Sequence, residues 1–179
     1  GWGVFSDATV LGDNRSEAGD AGGVNDDTGP TEPGVGGAFC QVSTTLFRAA
    51  LNAGLPIVER TPHAYRVGYY EQTGSAGIDA SVYFPYSDFK FKNDTGNYVL
   101  IQTINDVTNS TLTFDIYGTS DGRQVTMTAP IVSNIIPAPA ALYQDDPTLL
   151  KGTTKQIDYA ANGATAVFNR TVTRSGQTL

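Results

Sequence analysis

Between residues 40 and 53 apolar side chains return every three or four positions, at Val42, Leu46, Ala49, Ala50 and Ala53. That spacing predicts a helix over Cys40–Ala53. The glycine turn Gly34-Val35-Gly36-Gly37 introduces it, Gly54 supplies the stop, and Pro56 prevents continuation. Downstream the period shortens to two. Strands are predicted where β-branched and aromatic residues alternate or cluster: Ile57–Arg60, Ala64–Tyr70, Ala80–Phe84, Phe89–Lys92, Tyr98–Ile104, Thr111–Tyr117 and Gln124–Ile131. Asp94-Thr95-Gly96-Asn97 and Ser120-Asp121-Gly122-Arg123 read as hairpin connections. A linker punctuated by proline, at Ile136-Pro137-Ala138-Pro139 and around Pro147, precedes two more strand patterns, Lys155–Tyr159 and Ala166–Thr173, and the turn Ser175-Gly176-Gln177. The expected fold is α+β, one main helix packed on an antiparallel sheet, with a β-rich C-terminal appendage. The expected division is 1–134 for the main domain and 135–179 for linker and appendage.

Residues 1–39 fit neither period. Short apolar patches at Trp2–Phe5 and Ala8–Leu11 lead into a stretch rich in turn formers and carboxylates (Asp13, Glu17, Asp20, Asp26, Asp27, Glu32), which reads as an extended surface loop. The aspartate spacing matches no calcium-loop pattern. Opening at Gly1-Trp2-Gly3 and ending at Leu179 within a strand-like pattern, the 179-residue chain reads as a mature or excised piece of something longer.

Composition narrows the function classes. Lys and Arg number 11 against 18 Asp and Glu, a formal charge of −7 with no basic cluster. Nucleic acid and anionic membrane surfaces are therefore excluded as expected partners. No apolar run is long enough to span a bilayer. One cysteine rules out an internal disulfide framework and a cysteine-based zinc site. Abundant Thr, Asn, Gly and Tyr with little Lys and Glu suggests an extracytoplasmic protein.

The candidate chemistry centres on Cys40 and His63, each the single residue of its type. A cysteine in the first turn of a helix lies among unpaired N–H groups that favour its thiolate. Glycines just before it, Gly37 above all, allow a substrate backbone to approach. Backbone N–H groups near Cys40, with Gln41 and Ser43, are candidates for receiving substrate and a developing oxyanion. His63 is the candidate base, and a carboxylate should orient its imidazole. Asp79 is the first choice and Asp88 the other. The inert alternative is a cysteine that only packs and a histidine that serves a turn. No Gly-x-Ser-x-Gly elbow supports a serine nucleophile, and no nucleotide-binding glycine motif is present. A metal site of one Cys, one His and one Asp has nothing in its spacing to favour it over a triad, so no metal or other cofactor is expected.

The run Pro33-Gly34-Val35-Gly36-Gly37-Ala38-Phe39-Cys40-Gln41-Val42-Ser43-Thr44-Thr45-Leu46-Phe47 closely resembles the signature of the VanW-like family. Ala49–Arg60, Pro62-His63, Gly77-Ile78-Asp79-Ala80 and Asp88–Thr95 extend the resemblance, which covers roughly residues 1–130. It implies a bacterial cell-envelope protein of a family named for an accessory gene of vancomycin-resistance clusters, and it implies no particular reaction. Val167–Gly176 looks like the start of a small β-rich module that often follows such a domain. A more distant likeness is to transglutaminase-like thiol enzymes, in which Cys opens a helix and His and Asp follow on neighbouring strands; it implies nucleophile, base and orienting roles for Cys40, His63 and Asp79.

Two expectations from different classes result. One is a wall-associated Cys-His-Asp enzyme that hydrolyses or transfers amide bonds of peptidoglycan peptides or envelope proteins. The other is a non-catalytic wall-binding or assembly module. In it, Tyr65, Tyr69, Tyr70, Tyr83 and Tyr86 line a contact face, or strand edges mediate self-association.

Overall fold

The computed structural model describes residues 39–64, 66, 68–71, 76–83, 85–156 and 160–179, and the backbone of 2–11. The expected acidic loop, Gly37, Tyr65, Phe84 and the end of the Lys155–Tyr159 pattern lie outside the described residues.

A long N-terminal strand, β1 (Trp2–Leu11), pairs antiparallel along the whole of β5 (Thr111–Thr119), and β4 (Val99–Asp106) pairs on the other side of β5. The order β1-β5-β4 makes β5 the central strand. β5 alternates in burial as a one-sided strand should, with Phe114, Ile116 and Gly118 buried. The pattern of β1 was hidden because its register with β5 shifts between Val4 and Ser6. One extra residue there breaks the period of two in the middle of the strand.

The helix α1 (Phe39–Asn52) lies against β1 and β5. Ala49, Ala53 and Leu55 form one core cluster with Phe114 and Ile116; Phe47 and Leu51 form another with Ala80. Alanines at the sheet-facing positions let the helix approach closely. Val42, expected on the buried face, is 40% exposed. The helix ends as its sequence dictates. Gly54 adopts φ +71°, its N–H donates to the Leu51 carbonyl and that of Leu55 to Ala50, which satisfies two carbonyls the helix leaves open.

Beyond the helix, short β2 (Ile57–Glu59) pairs with β3 (Lys90–Phe91). Among the described residues of Ala64–Tyr70 the expected strand is not formed. A bend at Ala64 and a 3₁₀ turn at Gly68–Glu71 occupy its place. The Arg66 guanidinium reaches forward to Glu71 (2.6 and 2.9 Å). The expected strand Ala80–Phe84 reduces to bridges at Thr61–Ser81 and Tyr83–Ser87.

The tail forms two further sheets. β6 (Arg123–Met127), β9 (Arg170–Arg174) and β10 (Gln177–Thr178) assemble in the order β10-β9-β6. β7 (Ile131–Ile136) pairs with β8 (Gly163–Val167). Pro130 separates β6 from β7, where one strand over Gln124–Ile131 was expected. Neither expected hairpin closes: the turns at 94–97 and 120–123 carry the chain from one sheet to another. Their carboxylates, Asp94 and Asp121, are drawn onto the buried Arg123 guanidinium at 2.9 and 2.7 Å. Arg123 also donates to the Gly54 carbonyl, and Arg170 to those of Leu51 and Leu55, so the tail is clamped to the C-terminal end of α1. No helix among the described residues is long and apolar enough to cross a membrane.

Candidate functional site

Hydroxyls in the first turns of α1 fix the site. Ser43 Oγ donates to the Ala80 carbonyl at 2.6 Å, and Thr44 Oγ1 both donates to that carbonyl and accepts from the Ala80 N–H. Arg48, one turn on, donates to the carbonyls of Ile78 and Tyr70. The extended segment 78–82 is thereby stitched across the N-terminal half of the helix. Cys40 comes to lie beside it, with Sγ 3.7 Å from the Val82 carbonyl oxygen.

Asp79 leaves this segment toward His63. Its Oδ2 lies 2.6 Å from His63 Nδ1 and accepts the His63 backbone N–H at 2.9 Å. The side chains are mostly sequestered, 18% exposed for His63 and 14% for Asp79. With Nδ1 committed to the carboxylate, Nε2 is the free imidazole nitrogen, and the imidazole is coupled electrostatically to Cys40. The ring of Tyr70 lies 5.2 Å from that of His63.

The electrostatics follow. Burial disfavours the imidazolium, but hydrogen bonds to Asp79 and Cys40 and their negative charges outweigh it, and the His63 pKa is pushed up to about 9. Burial pushes the Cys40 thiol up; the His63 hydrogen bond, the Val82 backbone, the imidazolium charge and Ser81 together hold it below its ordinary value. Burial also raises Asp79, and the His63 contacts with the nearby Arg60 cation bring it below the usual carboxylate range. The shifts run toward a thiolate–imidazolium pair, Cys40 lowered and His63 raised, with a carboxylate on the imidazole, which is the direction a thiol nucleophile requires.

Of the residues singled out from sequence, Cys40, His63 and Asp79 are brought together. Asp88 is not: its exposed carboxylate lies 3.4 Å from Lys90. Ser43 is buried and turned to Ala80. Gln41 lies beside Cys40, its carbonyl accepting from Thr45 Oγ1 at 2.7 Å. Gly37 is outside the described residues. Among the described residues no group of three or more His, Cys, Asp or Glu is arranged to hold a metal ion.

Sequence reading missed Arg60, whose neighbour Glu59 offers a charge of opposite sign. Glu59 pairs instead with Lys90 at 2.6 Å. Arg60 turns inward, donating to the Asp79 and Gly77 carbonyls (2.6 Å each) and to Asp79 Oδ1 at 3.3 Å, with its guanidinium 5.2 Å from the Phe47 ring centroid. The alternation Glu59/Arg60 in a short strand was the available signal, since successive side chains face opposite sides.

A 74-residue stretch is 43% identical to a Bacillus subtilis (strain 168) protein described as "Uncharacterized protein YoaR", covering 41% of this chain and 23% of that one. The chain thus spans about a quarter of the length of that relative. No solved structure matches it. Residues 3–117, more than half of the chain and including Cys40, His63 and Asp79, match the family described as VanW like protein. The chain belongs to the VanW-like family.

Proposed function

We propose that this chain is an extracytoplasmic thiol enzyme of the bacterial envelope that cleaves or transfers amide bonds, with Cys40 as nucleophile, His63 as proton shuttle and Asp79 as orienting carboxylate. One observation carries the reading: Asp79 holds His63 Nδ1 at 2.6 Å beside the N-terminal turn of α1, where the imidazole and the Cys40 thiol shift each other's pKa. Membership of the VanW-like family fits the extracytoplasmic location. The order of parts is similar to that of transglutaminase-like thiol enzymes, although His63 stands in a loop and Asp79 in an extended segment outside the named strands.

In this reading the Cys40 thiolate attacks the amide carbon, forming the C–S bond, and the carbonyl oxygen takes up negative charge facing the free N–H groups of the first helical turn. As the C–N bond breaks, His63 Nε2 gives its proton to the departing amine, and Asp79 keeps Nδ1–H in place. Neutral His63 then takes a proton from water or from a second amine as that nucleophile attacks the thioester. Breaking the C–S bond restores thiolate and imidazolium. Water makes the reaction hydrolysis and an amine makes it transfer; peptidoglycan peptides and envelope proteins are the substrates within reach of such a site.

The test is the pH dependence of Cys40 alkylation by iodoacetamide in wild type and His63→Ala. Onset well below the free-thiol value of about 8.5, moving up when His63 is removed, supports the activated pair. A thiol inert until the protein unfolds overturns the enzyme reading in favour of a non-catalytic wall-binding module.

A further inference from the structure

Next to the triad lies a groove of about 330 Å³. One wall comes from the 60–79 segments, with Arg60, His63, Arg66, Tyr70, Glu71 and Asp79; the other comes from the β7–β8 hairpin. Val132 and Ala166 are cross-strand partners, and Ala164 lies two residues from Ala166, so all three belong to one face of that hairpin. This face roofs the groove with small side chains. The hairpin comes so close because of Gly77. At φ +78°, a Cβ on Gly77 would fall 2.7 Å from that of Ala166.

We infer that this groove binds the amine half of the substrate, and that its ligand is an extended, uncharged peptide of small residues such as alanine. The inference rests on the thiol-enzyme reading for the word substrate; the groove itself does not depend on it. Cys40 is not among the walls, whereas His63 is, so the groove begins at the imidazole that protonates the departing nitrogen. Its volume is that of roughly ten waters, room for two or three small residues but not for three bulky ones. Among the walls, the cations Arg60, Arg66 and the His63 imidazolium face the anions Glu71 and Asp79, and Arg66 is paired bidentately with Glu71. A nearly balanced lining favours neither a polyanion nor a polycation. Glycine backbone at Gly77 and Gly163 and the methyls of Ala164 and Ala166 suit a main chain that offers its own N–H, C=O and methyl groups.

The experiment is an NMR titration of N-acetyl-trialanine amide, with the trileucine analogue as control, into the whole chain carrying Cys40→Ser. Saturable shifts at the amides of Val132, Ala164 and Ala166, absent with trileucine, are expected. Ala164→Trp, at an exposed position where the larger side chain does not disturb packing, should weaken binding about tenfold or more. Val132→Trp, on the same face, is the second variant. Absence of saturable shifts at these amides, or equal binding of trileucine, overturns the inference. A wild-type thiol inert to iodoacetamide in a chain that still binds trialanine here refutes the thiol chemistry and leaves the groove standing. A reactive thiol without trialanine binding does the reverse.

Discussion

Thr44 and Ala80 hold each other by two hydrogen bonds: the threonine hydroxyl donates to the Ala80 carbonyl at 3.3 Å and accepts the Ala80 N–H at 3.1 Å. Thr44 is fully buried. This single side chain therefore ties the helix that carries Cys40 to the segment that carries Asp79.

Thr44→Val keeps the shape and removes both bonds, leaving the Ala80 N–H buried without that partner. A loss of about 1–3 kcal/mol in denaturant unfolding is expected. Ser43 still holds the Ala80 carbonyl, so Ser43→Ala combined with Thr44→Val should cost more than either change alone.

Because the chain has one histidine, its NMR titration is a single clean curve. His63 should titrate near 9 rather than its ordinary 6.5. Its raised pKa contributes stability that is complete below 6.5 and is lost as pH rises through about 9. Asp79→Asn should move the midpoint back toward 6.5 and flatten that part of the stability profile.

Arg60 acts on the chemistry through Asp79, whose Oδ1 and main-chain carbonyl it holds. Arg60→Ala should raise the Asp79 pKa and shift the onset of Cys40 alkylation upward. Arg60→Lys restores the charge without the planar fork, so it should recover only part of the shift. An onset unchanged in Arg60→Ala would show that Asp79 is held well enough by His63 alone.

Gly54 is both the helix stop and a docking point for the tail. A Cβ there would lie 2.8 Å from a methyl of Val125 and 3.0 Å from one of Val172, at a φ of +71° that disfavours any side chain. Gly54→Ala should cost about 2 kcal/mol by thermal or denaturant unfolding. Arg123→Met strands Asp94 and Asp121 beside the same junction and should cost about 3 kcal/mol. Asp121, held down at about 2 mainly by its hydrogen bond to Arg123, contributes stability present above 3.8 and lost as pH falls through about 2. In Arg123→Met that acid-side loss should shrink.

The helix and its stop were legible because they are local: three- and four-residue spacing, a glycine able to take positive φ, and a proline after it. The pairing of Asp79 with His63 was legible as chemistry, since an imidazole base calls for a carboxylate to orient it. What carries Asp79 to His63 was not. Thr44 and Arg48 looked like ordinary helix residues, and their partners are main-chain groups 36 and 30 positions away. Arg60 was missed because charge order along a chain says nothing about which side each residue faces. The turns at 94–97 and 120–123 were recognised as reversals, yet turn chemistry fixes only a local change of direction. Which strand lies opposite is decided by sheet pairing far away.

The Arg170 clamp on α1 has a consequence in time. Its guanidinium reaches the Leu51 carbonyl across 119 positions of sequence. A growing chain emerges in order, so the helix bearing the nucleophile is complete long before the strand that secures its end exists. Contacts of such separation close slowly, because the intervening loop must first lose its freedom. The helical end therefore waits, held by its own glycine stop and then by Arg123, and a strand made more than a hundred positions later brings the helix to its final stability.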